Sequence, residues 1–402
     1  MNFRQTLEKQ EIKASVPCRV DLGGTLDIST FFLPLNHLNP STFNIALDMR
    51  TTVTLTPWRD GYIKISSKGF ESAEFEAEKA PFNHPMGLMF AVVKFFNGDG
   101  VHVKIESSSP PRSALGGSSS AAVAMVAAFQ LAVERSKYQL TREESKFQLK
   151  EKDLFKKEES NSINLIDPTT IALIAHYIES SVAGVPCGLQ DQLAAAYGGV
   201  NSWYWKMGKS GVEFIQEVLV ESDLKSYLAN NISGGNISLI KVNSNVNPSD
   251  IKLNDFNNNI LVAYCGIPHV SSDINGRWVK SFLAGEDRDK WHEIIKITHN
   301  FSNAVKNKEF KLAASLMNQE TLIRLSMTPD VLDKTGKLLF ECASKIGCGA
   351  RFTGAGGGGC LWAIGEKEDI ENLKADWKNI LDKESEARLL DTMIDFKGIV
   401  VN

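Results

Sequence analysis

Residues 110–129 read Pro110-Pro111-Arg112-Ser113-Ala114-Leu115-Gly116-Gly117-Ser118-Ser119-Ser120-Ala121-Ala122-Val123-Ala124-Met125-Val126-Ala127-Ala128-Phe129, a glycine- and serine-rich loop that runs directly into an apolar segment. The apolar segment predicts a buried helix with the loop at its N-terminus. The first N–H groups of a helix lack partners within the helix, and the helix dipole places partial positive charge there. Glycines let an anion approach the backbone, and serine hydroxyls bind anions or metal ions. The pattern predicts a nucleotide-phosphate site, and the alternative is a core helix with a serine cap.

Three further blocks are also rich in glycine, and each carries charged residues. They read Ile178-Glu179-Ser180-Ser181-Val182-Ala183-Gly184-Val185-Pro186-Cys187-Gly188-Leu189-Gln190-Asp191-Gln192, Arg351-Phe352-Thr353-Gly354-Ala355-Gly356-Gly357-Gly358-Gly359-Cys360-Leu361 and Pro17-Cys18-Arg19-Val20-Asp21-Leu22-Gly23-Gly24-Thr25-Leu26-Asp27. Along the chain, the four blocks resemble in content and order the motifs of the galactokinase, homoserine kinase and mevalonate kinase superfamily, known as the GHMP kinases.

The resemblance implies an α+β two-domain GHMP kinase fold with the active site between the domains. The expected N-terminal domain, residues 1–235, is like ribosomal protein S5 domain 2 and holds the ATP and magnesium loop and the catalytic aspartate. The expected C-terminal domain, residues 236–402, is ferredoxin-like and holds the second glycine-rich loop. Asparagine, serine and glycine accumulate between residues 230 and 259, so the boundary is placed there.

The resemblance also implies ATP and Mg²⁺ as cofactors and a role for each motif residue. Nucleotide binding is expected from Pro111, Leu115, Gly116, Gly117, Ser118, Ser119, Ser120, Gly354, Gly356 and Gly357. Glu179 and Ser118 are the expected magnesium ligands, because carboxylate and hydroxyl oxygens suit this hard cation. Which serine between 118 and 120 binds the metal stays open.

Asp191 and Arg19 are the expected catalytic residues. Asp191 would accept the proton of the acceptor hydroxyl or hold that hydroxyl in line, and Arg19 would stabilise charge on the transferring phosphoryl group. Two structural alternatives remain open. Arg19 forms an ion pair with Asp21 or Asp27 near a strand end, or Asp191 caps the alanine-rich helix that follows it.

The expected substrate is a sugar or sugar phosphate, bound by Asp27, Gly24 and Gln190. Galactokinases carry Gly-Glu-His-Thr-Asp where this chain has Gly-Gly-Thr-Leu-Asp at 23–27, which argues against galactose itself. The run Arg-Val-Asp-Leu-Gly-Gly at 19–24 resembles fucose kinases and heptose-phosphate kinases, which phosphorylate the anomeric oxygen. The phosphate loop also departs from the family, with Ala114 for the first glycine and Gly117 for the first serine.

The sequence therefore predicts an ATP-dependent kinase that phosphorylates a hydroxyl, specifically the anomeric C1 hydroxyl, of a galactose-, fucose- or heptose-like sugar or sugar phosphate. The alternatives are a catalytically weak regulator that binds sugar and ATP, another GHMP small-molecule kinase such as a mevalonate-type enzyme, and a relative that phosphorylates and then decarboxylates. The presence of both Glu179 and Asp191 argues against the regulator.

Length and composition agree with a small-molecule enzyme. The 402 residues exceed what one core usually supports, and a net charge of −4 without concentrated lysine and arginine argues against a nucleic-acid partner. The apolar stretch 121–133 is too short to cross a bilayer, and the N-terminus lacks a signal-peptide core. The six cysteines form no Cys-x-x-Cys pair, so we expect reduced thiols. We expect a cytoplasmic monomer or homodimer without membrane partners.

Hydrophobic periodicity predicts strands over 14–22, 51–57, 62–65, 101–105, 360–364 and 392–401. It predicts helices over 86–96, from the loop at 110 to 134, and over 168–180, 291–305, 310–323, 331–346 and 368–381. The charged segment 146–160 is predicted to be a solvated helix or loop, with a partner site as the alternative. The glycines at 354–359 precede a predicted strand, which excludes a dinucleotide-binding fingerprint.

Overall fold

The computed structural model describes residues 3–148, 167–184, 186–208, 211–220, 256–268 and 271–402. The predicted domain boundary after residue 235 and residues 149–160 of the charged segment lie outside the described residues.

The N-terminal part is built on an eight-stranded sheet. Its strands are β1 (Ile12–Leu22), β2 (Ser41–Pro57), β3 (Tyr62–Ser67), β4 (Ala73–Glu76), β5 (Val101–Ser107), β6 (Val200–Gly208), β7 (Gly211–Val220) and the short C-terminal β12 (Val400–Val401). The order is β12-β1-β2-β5-β3-β4, with β6 paired to the start of β2 and β7 paired to β6. All pairs are antiparallel except β3 with β5.

A β-bulge of β2, formed by the extra residues Asp48 and Met49, lies opposite Pro17 and Cys18 of β1. The register of β1 against β2 shifts between Pro17 and Cys18. Proline has no N–H to give to the ladder, so a bulge is favoured there. Beyond it, Arg19 and Asp21 share one face of the strand because side chains alternate with a period of two.

Helices cover this sheet. They are α1 (Phe3–Lys9), α2 (Ser29–Phe32), α3 (Gly87–Phe95), α4 (Gly117–Gln148), α5 (Pro168–Val182) and α6 (Gln190–Tyr197), with short 3₁₀ turns at Asn36–Leu38, Ala77–Lys79 and Phe256–Asn259. Within α4, the segment Gly117–Lys137 has the length and apolar composition of a membrane span, but 72% of its apolar window is buried in the protein. It is the central core helix, and it starts at the predicted phosphate loop.

The C-terminal part contains a four-stranded antiparallel sheet. Its strands are β8 (Ile260–Tyr264), β9 (Gly349–Phe352), β10 (Cys360–Ile364) and β11 (Arg388–Leu390), in the order β11-β8-β10-β9. Its helices are α7 (Ser271–Leu283), α8 (Arg288–Lys306), α9 (Phe310–Met327), α10 (Lys334–Ile346) and α11 (Lys367–Leu381). The sequence β8, α7–α10, β9, β10, α11, β11 is a β-α-β-β-α-β arrangement with extra helices in the first crossover, which confirms the ferredoxin-like prediction.

One hydrophobic cluster joins the two sheets. Val20 and Phe43 from the large sheet pack in the same core cluster as Phe301 of α8 and Trp362 of β10. The ring of Phe43 stacks on Trp362 with centroids 6.2 Å apart. The two parts therefore share buried surface directly beneath the site.

The strand predicted over 51–57 is the end of β2, which begins at Ser41, and the helix predicted to end at 134 continues to Gln148. Two further differences have a local cause. The predicted strand 392–401 reduces to Val400–Val401 and an isolated bridge between Leu47 and Ile394, because Gly398 turns with φ +61°. The predicted helix 331–346 begins at Lys334, since the Asp333 carboxylate caps it by accepting from Gly336 N at 2.6 Å.

Candidate active site

The four sequence motifs meet in one cleft of about 690 Å³. Residues from α4 and its preceding loop, the end of α5, the start of α6, β1 and the C-terminal glycine loop line it. Of the predicted site residues, those lining it are Arg19, Asp27, Pro111, Gly116, Gly117, Ser118, Ser119, Glu179, Gln190, Asp191 and Gly354.

The loop before α4 passes directly over the predicted catalytic aspartate. Gly116 has φ +76°, and a Cβ at this position would lie 3.3 Å from Asp191 Oδ2. A Cβ on Gly117 would have no heavy atom within 4 Å. The backbone at the start of α4 is therefore open to the cleft, as an anion site at a helix N-terminus requires. Ala114, in place of the family's first glycine, has the strained φ of +61°.

Arg19 and Asp191 form a bidentate ion pair at the centre of the cleft. Arg19 Nε donates to Asp191 Oδ1 and Arg19 Nη2 to Oδ2, both at 2.8 Å. Its remaining nitrogen, Nη1, donates to the carbonyl of Ala114 at 2.7 Å. Burial alone would lower the pKa of Arg19, but the carboxylates of Asp191 and Asp21 outweigh it and raise the pKa. The guanidinium is a fixed positive charge in the cleft wall.

Of the two structural alternatives, the ion pair of Arg19 with Asp21 is present, whereas the helix cap at Asp191 is not. Arg19 pairs with Asp191 and, at 3.5 Å, with Asp21. Asp191 is the second residue of α6, whose N-cap is Leu189, and no side chain makes a cap hydrogen bond there. Asp191 is therefore not the helix cap.

Glu179, at the end of α5, accepts hydrogen bonds from side chains of α4 and α6. Its Oε2 accepts from Ser119 Oγ at 2.8 Å and from Gln192 Nε2 at 2.7 Å, while its Oε1 accepts only a longer bond, 3.3 Å, from Ser118 Oγ. Burial raises the pKa of Glu179, and the hydroxyl and amide donors act in the opposite direction. Ser120, in contrast, is buried and donates to the Pro17 carbonyl.

Glu179 and Ser118 form a partial ligand set of the kind that Mg²⁺ uses, rather than a metal centre made only of protein ligands. The described residues contain no group of three or more histidine, cysteine, aspartate or glutamate side chains that could hold an ion. Mg²⁺ is usually held by one or two carboxylates together with phosphate and water oxygens. Glu179 Oε1 and the exposed Ser118 hydroxyl, next to open space at Gly117, supply that kind of partial ligand set.

Asp27 is a second, buried carboxyl beside the start of α6. Its Oδ2 accepts from Gln190 N at 3.0 Å. A Cβ on Gly188 would lie 1.7 Å from the same oxygen, so only glycine fits at 188. Burial raises the pKa of Asp27 to about 7, with the Gln190 bond opposing and the Asp191 charge adding to the shift.

Five predicted site residues do not line the cleft: Leu115, Ser120, Gly24, Gly356 and Gly357. Gly356 N and Gly357 N donate to the carbonyls of Thr353 and Val331, so these amides are not available to phosphate. The C-terminal loop instead supports the phosphate loop, because Cys360 N donates to the Ser113 carbonyl at 2.9 Å. The carbonyl of Gly24 accepts a hydrogen bond from Arg324 Nη2.

Sequence reasoning did not assign Asp21 a place in the site. Asp21 is fully buried, and its Oδ1 accepts from Gly354 N at 2.7 Å while its Oδ2 accepts from Arg351 Nη1 at 3.2 Å. Glu320 joins Arg351 to Arg324 through bonds of 2.8 Å to each guanidinium. The available signal was two charges, Arg19 and Asp21, on one face of the strand in its otherwise apolar second half, residues 16–22.

Gln192 and the polar far end of the cleft were also missed. Gln192 follows Asp191, and its contact to Glu179 joins positions 13 apart in the sequence. At the far end, Thr51 Oγ1 donates to Ser107 Oγ at 3.1 Å, and the Ser107 and Ser109 hydroxyls lie 2.8 Å apart. No motif marks these serines.

Comparison with known proteins agrees with the geometry. The family model described as GHMP kinases N terminal domain matches residues 83–148, and the model described as GHMP kinases C terminal matches residues 303–383. No curated protein sequence matches the chain.

Solved structures share the fold over nearly the whole chain at low identity. A Lactococcus lactis galactokinase complexed with galactose has 15% identity and TM-score 0.62, covering 99% of this chain and 97% of that one. A D-glycero-D-manno-heptose 1-phosphate kinase from Bacteriodes thetaiotaomicron has 12% identity and TM-score 0.59, with coverages of 97% and 98%. A Streptococcus pneumoniae phosphomevalonate kinase in complex with phosphomevalonate and AMPPNP has 11% identity and TM-score 0.62, with coverages of 95% and 99%.

Proposed function

We propose that this chain, which belongs to the GHMP kinase superfamily, uses ATP and Mg²⁺ to phosphorylate the anomeric C1 hydroxyl of a sugar or sugar phosphate. GHMP kinases are phosphotransferases with hydroxyl acceptors that use ATP. The observation that carries the proposal is the position of the Arg19–Asp191 pair, which lies in the same cleft as Glu179, Ser118 and the open start of α4.

The nucleotide is held with its phosphates at the start of α4. The unpartnered N–H groups of the first helical turn and the dipole of α4 favour the polyphosphate there. Glu179 Oε1 and Ser118 Oγ would hold Mg²⁺, which when bound neutralises charge across the β and γ oxygens. Ser120 is disfavoured as a ligand because it is buried, donates to the Pro17 carbonyl and does not line the cleft.

The acceptor hydroxyl lies at Asp191. Each Asp191 oxygen accepts one hydrogen bond from Arg19, which fixes the carboxylate plane and leaves lone pairs for the acceptor. The acceptor oxygen forms a bond to the γ phosphorus, the bond from that phosphorus to the β,γ-bridging oxygen breaks, and ADP leaves. The hydroxyl proton passes to the Asp191 carboxylate, while the Arg19 charge stabilises the equatorial oxygens.

Asp27 and Gln190 favour a polyhydroxyl acceptor. Both line the cleft: Gln190 precedes Asp191 in α6, and Asp27 accepts a hydrogen bond from Gln190 N. Gln190 Oε1 is buried without a partner among the described residues. Sugar hydroxyls donate hydrogen bonds to such oxygens. An acceptor with its own carboxylate, as in a mevalonate-type reaction, would be repelled by Asp27 whenever Asp27 is ionised.

Acceptor-dependent ADP release from a panel of free sugars, sugar phosphates and mevalonate tests the proposal. We expect release with a sugar or sugar phosphate, and phosphorus NMR of the product should show a phosphate on the anomeric carbon. Release with mevalonate alone would favour the mevalonate-type alternative, and carbon dioxide release the decarboxylating one. ADP release at the acceptor-free rate with every compound would overturn the kinase proposal.

A further inference from the structure

Gln192 is buried beside the Glu179 carboxylate. Only 1% of its surface is exposed, and its Nε2 donates to Glu179 Oε2 at 2.7 Å. Its other polar atom, Oε1, is buried with no hydrogen-bond partner among the described residues. Gln192 lies in the first turn of α6, one position after Asp191.

The unpartnered oxygen offsets part of the stability that the amide gains from its bond to Glu179. A buried acceptor without a partner is destabilising, and an apolar side chain of the same size would avoid that cost. A side chain that breaks a folding rule in the wall of a cleft is expected to serve the site. The only polar contact of Gln192 in the described structure is the one with Glu179.

The two oxygens of Glu179 are held very differently. Gln192 and Ser119 both donate to Oε2 at 2.7 and 2.8 Å, whereas Oε1 has only the 3.3 Å contact with Ser118. Two short bonds from rigid helix ends fix the plane of the carboxylate and occupy Oε2. Oε1 is left facing the exposed Ser118 hydroxyl, which is where a cation would bind.

We infer that Gln192 is a positioning residue that holds Glu179 so that its Oε1 points at the magnesium of a bound Mg–nucleotide. Because Gln192 and Asp191 are adjacent on α6, the same helical turn also fixes the distance between the metal-side carboxylate and the catalytic carboxylate. The inference rests on the proposed function, since it assigns a support to that metal site.

The test measures nucleotide binding rather than turnover. The affinity of the full-length protein for a non-hydrolysable ATP analogue is determined by calorimetry across a series of Mg²⁺ concentrations and in EDTA. Gln192→Met removes the amide with little change in volume. Loss of a residue that orients a metal ligand typically weakens metal affinity about 10- to 100-fold, and we expect that increase in the Mg²⁺ concentration for half-maximal enhancement. Binding in EDTA should not fall, and a thermal melt should show that the variant is folded.

Gln216→Met is the matched control. Gln216 is also partly buried, and its Nε2 donates to Asn201 Oδ1 at 2.8 Å on the β6–β7 hairpin, outside the cleft lining. We expect its Mg²⁺ dependence to equal that of the native protein. If Gln192→Met does not fold, Gln192→Ala is the second variant. It removes the same amide without placing a larger sulfur atom in the buried site, and it should show the same change in Mg²⁺ dependence.

Native Mg²⁺ dependence in a folded Gln192→Met or Gln192→Ala protein would overturn the inference and leave the proposed function standing. Equal losses of binding with and without Mg²⁺ would also overturn it, because Gln192 would then only pack α6. A native protein whose nucleotide affinity ignores Mg²⁺ would instead remove the metal site on which both proposals depend. None of these readouts requires the acceptor.

Discussion

Replacing Asp191 by asparagine separates a catalytic carboxylate from a merely structural one. Asparagine has the same shape, and its Oδ1 can accept one of the two 2.8 Å bonds from Arg19. Its NH₂ group then faces the second Arg19 donor, so one charge-assisted bond is lost. We expect kcat to fall by about 10² to 10⁴, the usual effect of removing a general base.

The same contacts set the expected effect on stability. In the variant, Arg19 still donates to the Ala114 carbonyl at 2.7 Å and still pairs with Asp21 at 3.5 Å, so its buried charge retains a partner. The cost should therefore be about 1.5 to 3 kcal/mol, the value of a hydrogen bond to a charged group. An orphaned buried charge would instead cost about 3 to 5 kcal/mol.

The assay is acceptor-dependent ADP release at saturating ATP, with nucleotide affinity and thermal unfolding measured in parallel. Asp167→Asn is the control, because Asp167 is a true N-cap, its carboxylate accepting from Thr170 N at 3.1 Å at the start of α5. Asparagine caps helices about as well as aspartate, so this variant should keep native kcat. Near-native turnover in Asp191→Asn with intact nucleotide binding would refute the assignment of Asp191 as the base.

Three further predictions concern single residues. Glu179→Gln should raise the Mg²⁺ concentration needed for half-maximal turnover, because an amide is a weaker ligand for a hard cation; an unchanged Mg²⁺ titration would remove Glu179 from the metal site. Ala114→Gly should stabilise the protein by about 0.5 to 1 kcal/mol, since relief of the left-handed backbone outweighs the added freedom of glycine when unfolded; a lower melting temperature would contradict this. The pKa of Asp27 is raised to about 7 in the folded state, so the folded protein binds the proton more tightly and loses stability as pH rises from about 4 to about 7. Asp27→Asn should lack this decline in thermal melts, and parallel pH profiles of the two proteins would show that burial does not shift Asp27.

That the loop before α4, Glu179 and Asp191 share one cleft was predictable, because each lies in a short run with its own chemistry. Glycines and serines before an apolar helix specify an anion site locally, and the resemblance supplied the two carboxylates. The preference for Ser118 over Ser120 could be seen only in the fold, because Ser120 bonds Pro17, which is 103 positions away.

Long-range contacts were not predictable. Arg351 reaches Asp21 across 330 positions, and no local pattern reports such a pairing. The resemblance implied nucleotide binding by Gly356 and Gly357, but the glycines at 356–359 have positive φ and their loop packs under Ser113. The strand predicted over 392–401 failed because apolar alternation says nothing about the turn at Gly398.

The buried ladder of charges from α9 to β1 has a consequence for engineering. Arg324, Glu320 and Arg351 come from one half of the chain, and Asp21 and Arg19 from the other, in alternating sign. Cutting the protein between its halves would break the Arg351–Asp21 pair and leave Arg324, Glu320 and Arg351 with one positive charge in excess, so the C-terminal fragment should not be a self-sufficient module. Chimeras that exchange the C-terminal half with a relative should succeed only when Asp21 finds a matching cation in the graft. In this protein, Arg19 in the cleft wall and the buried charges of the scaffold form one connected network.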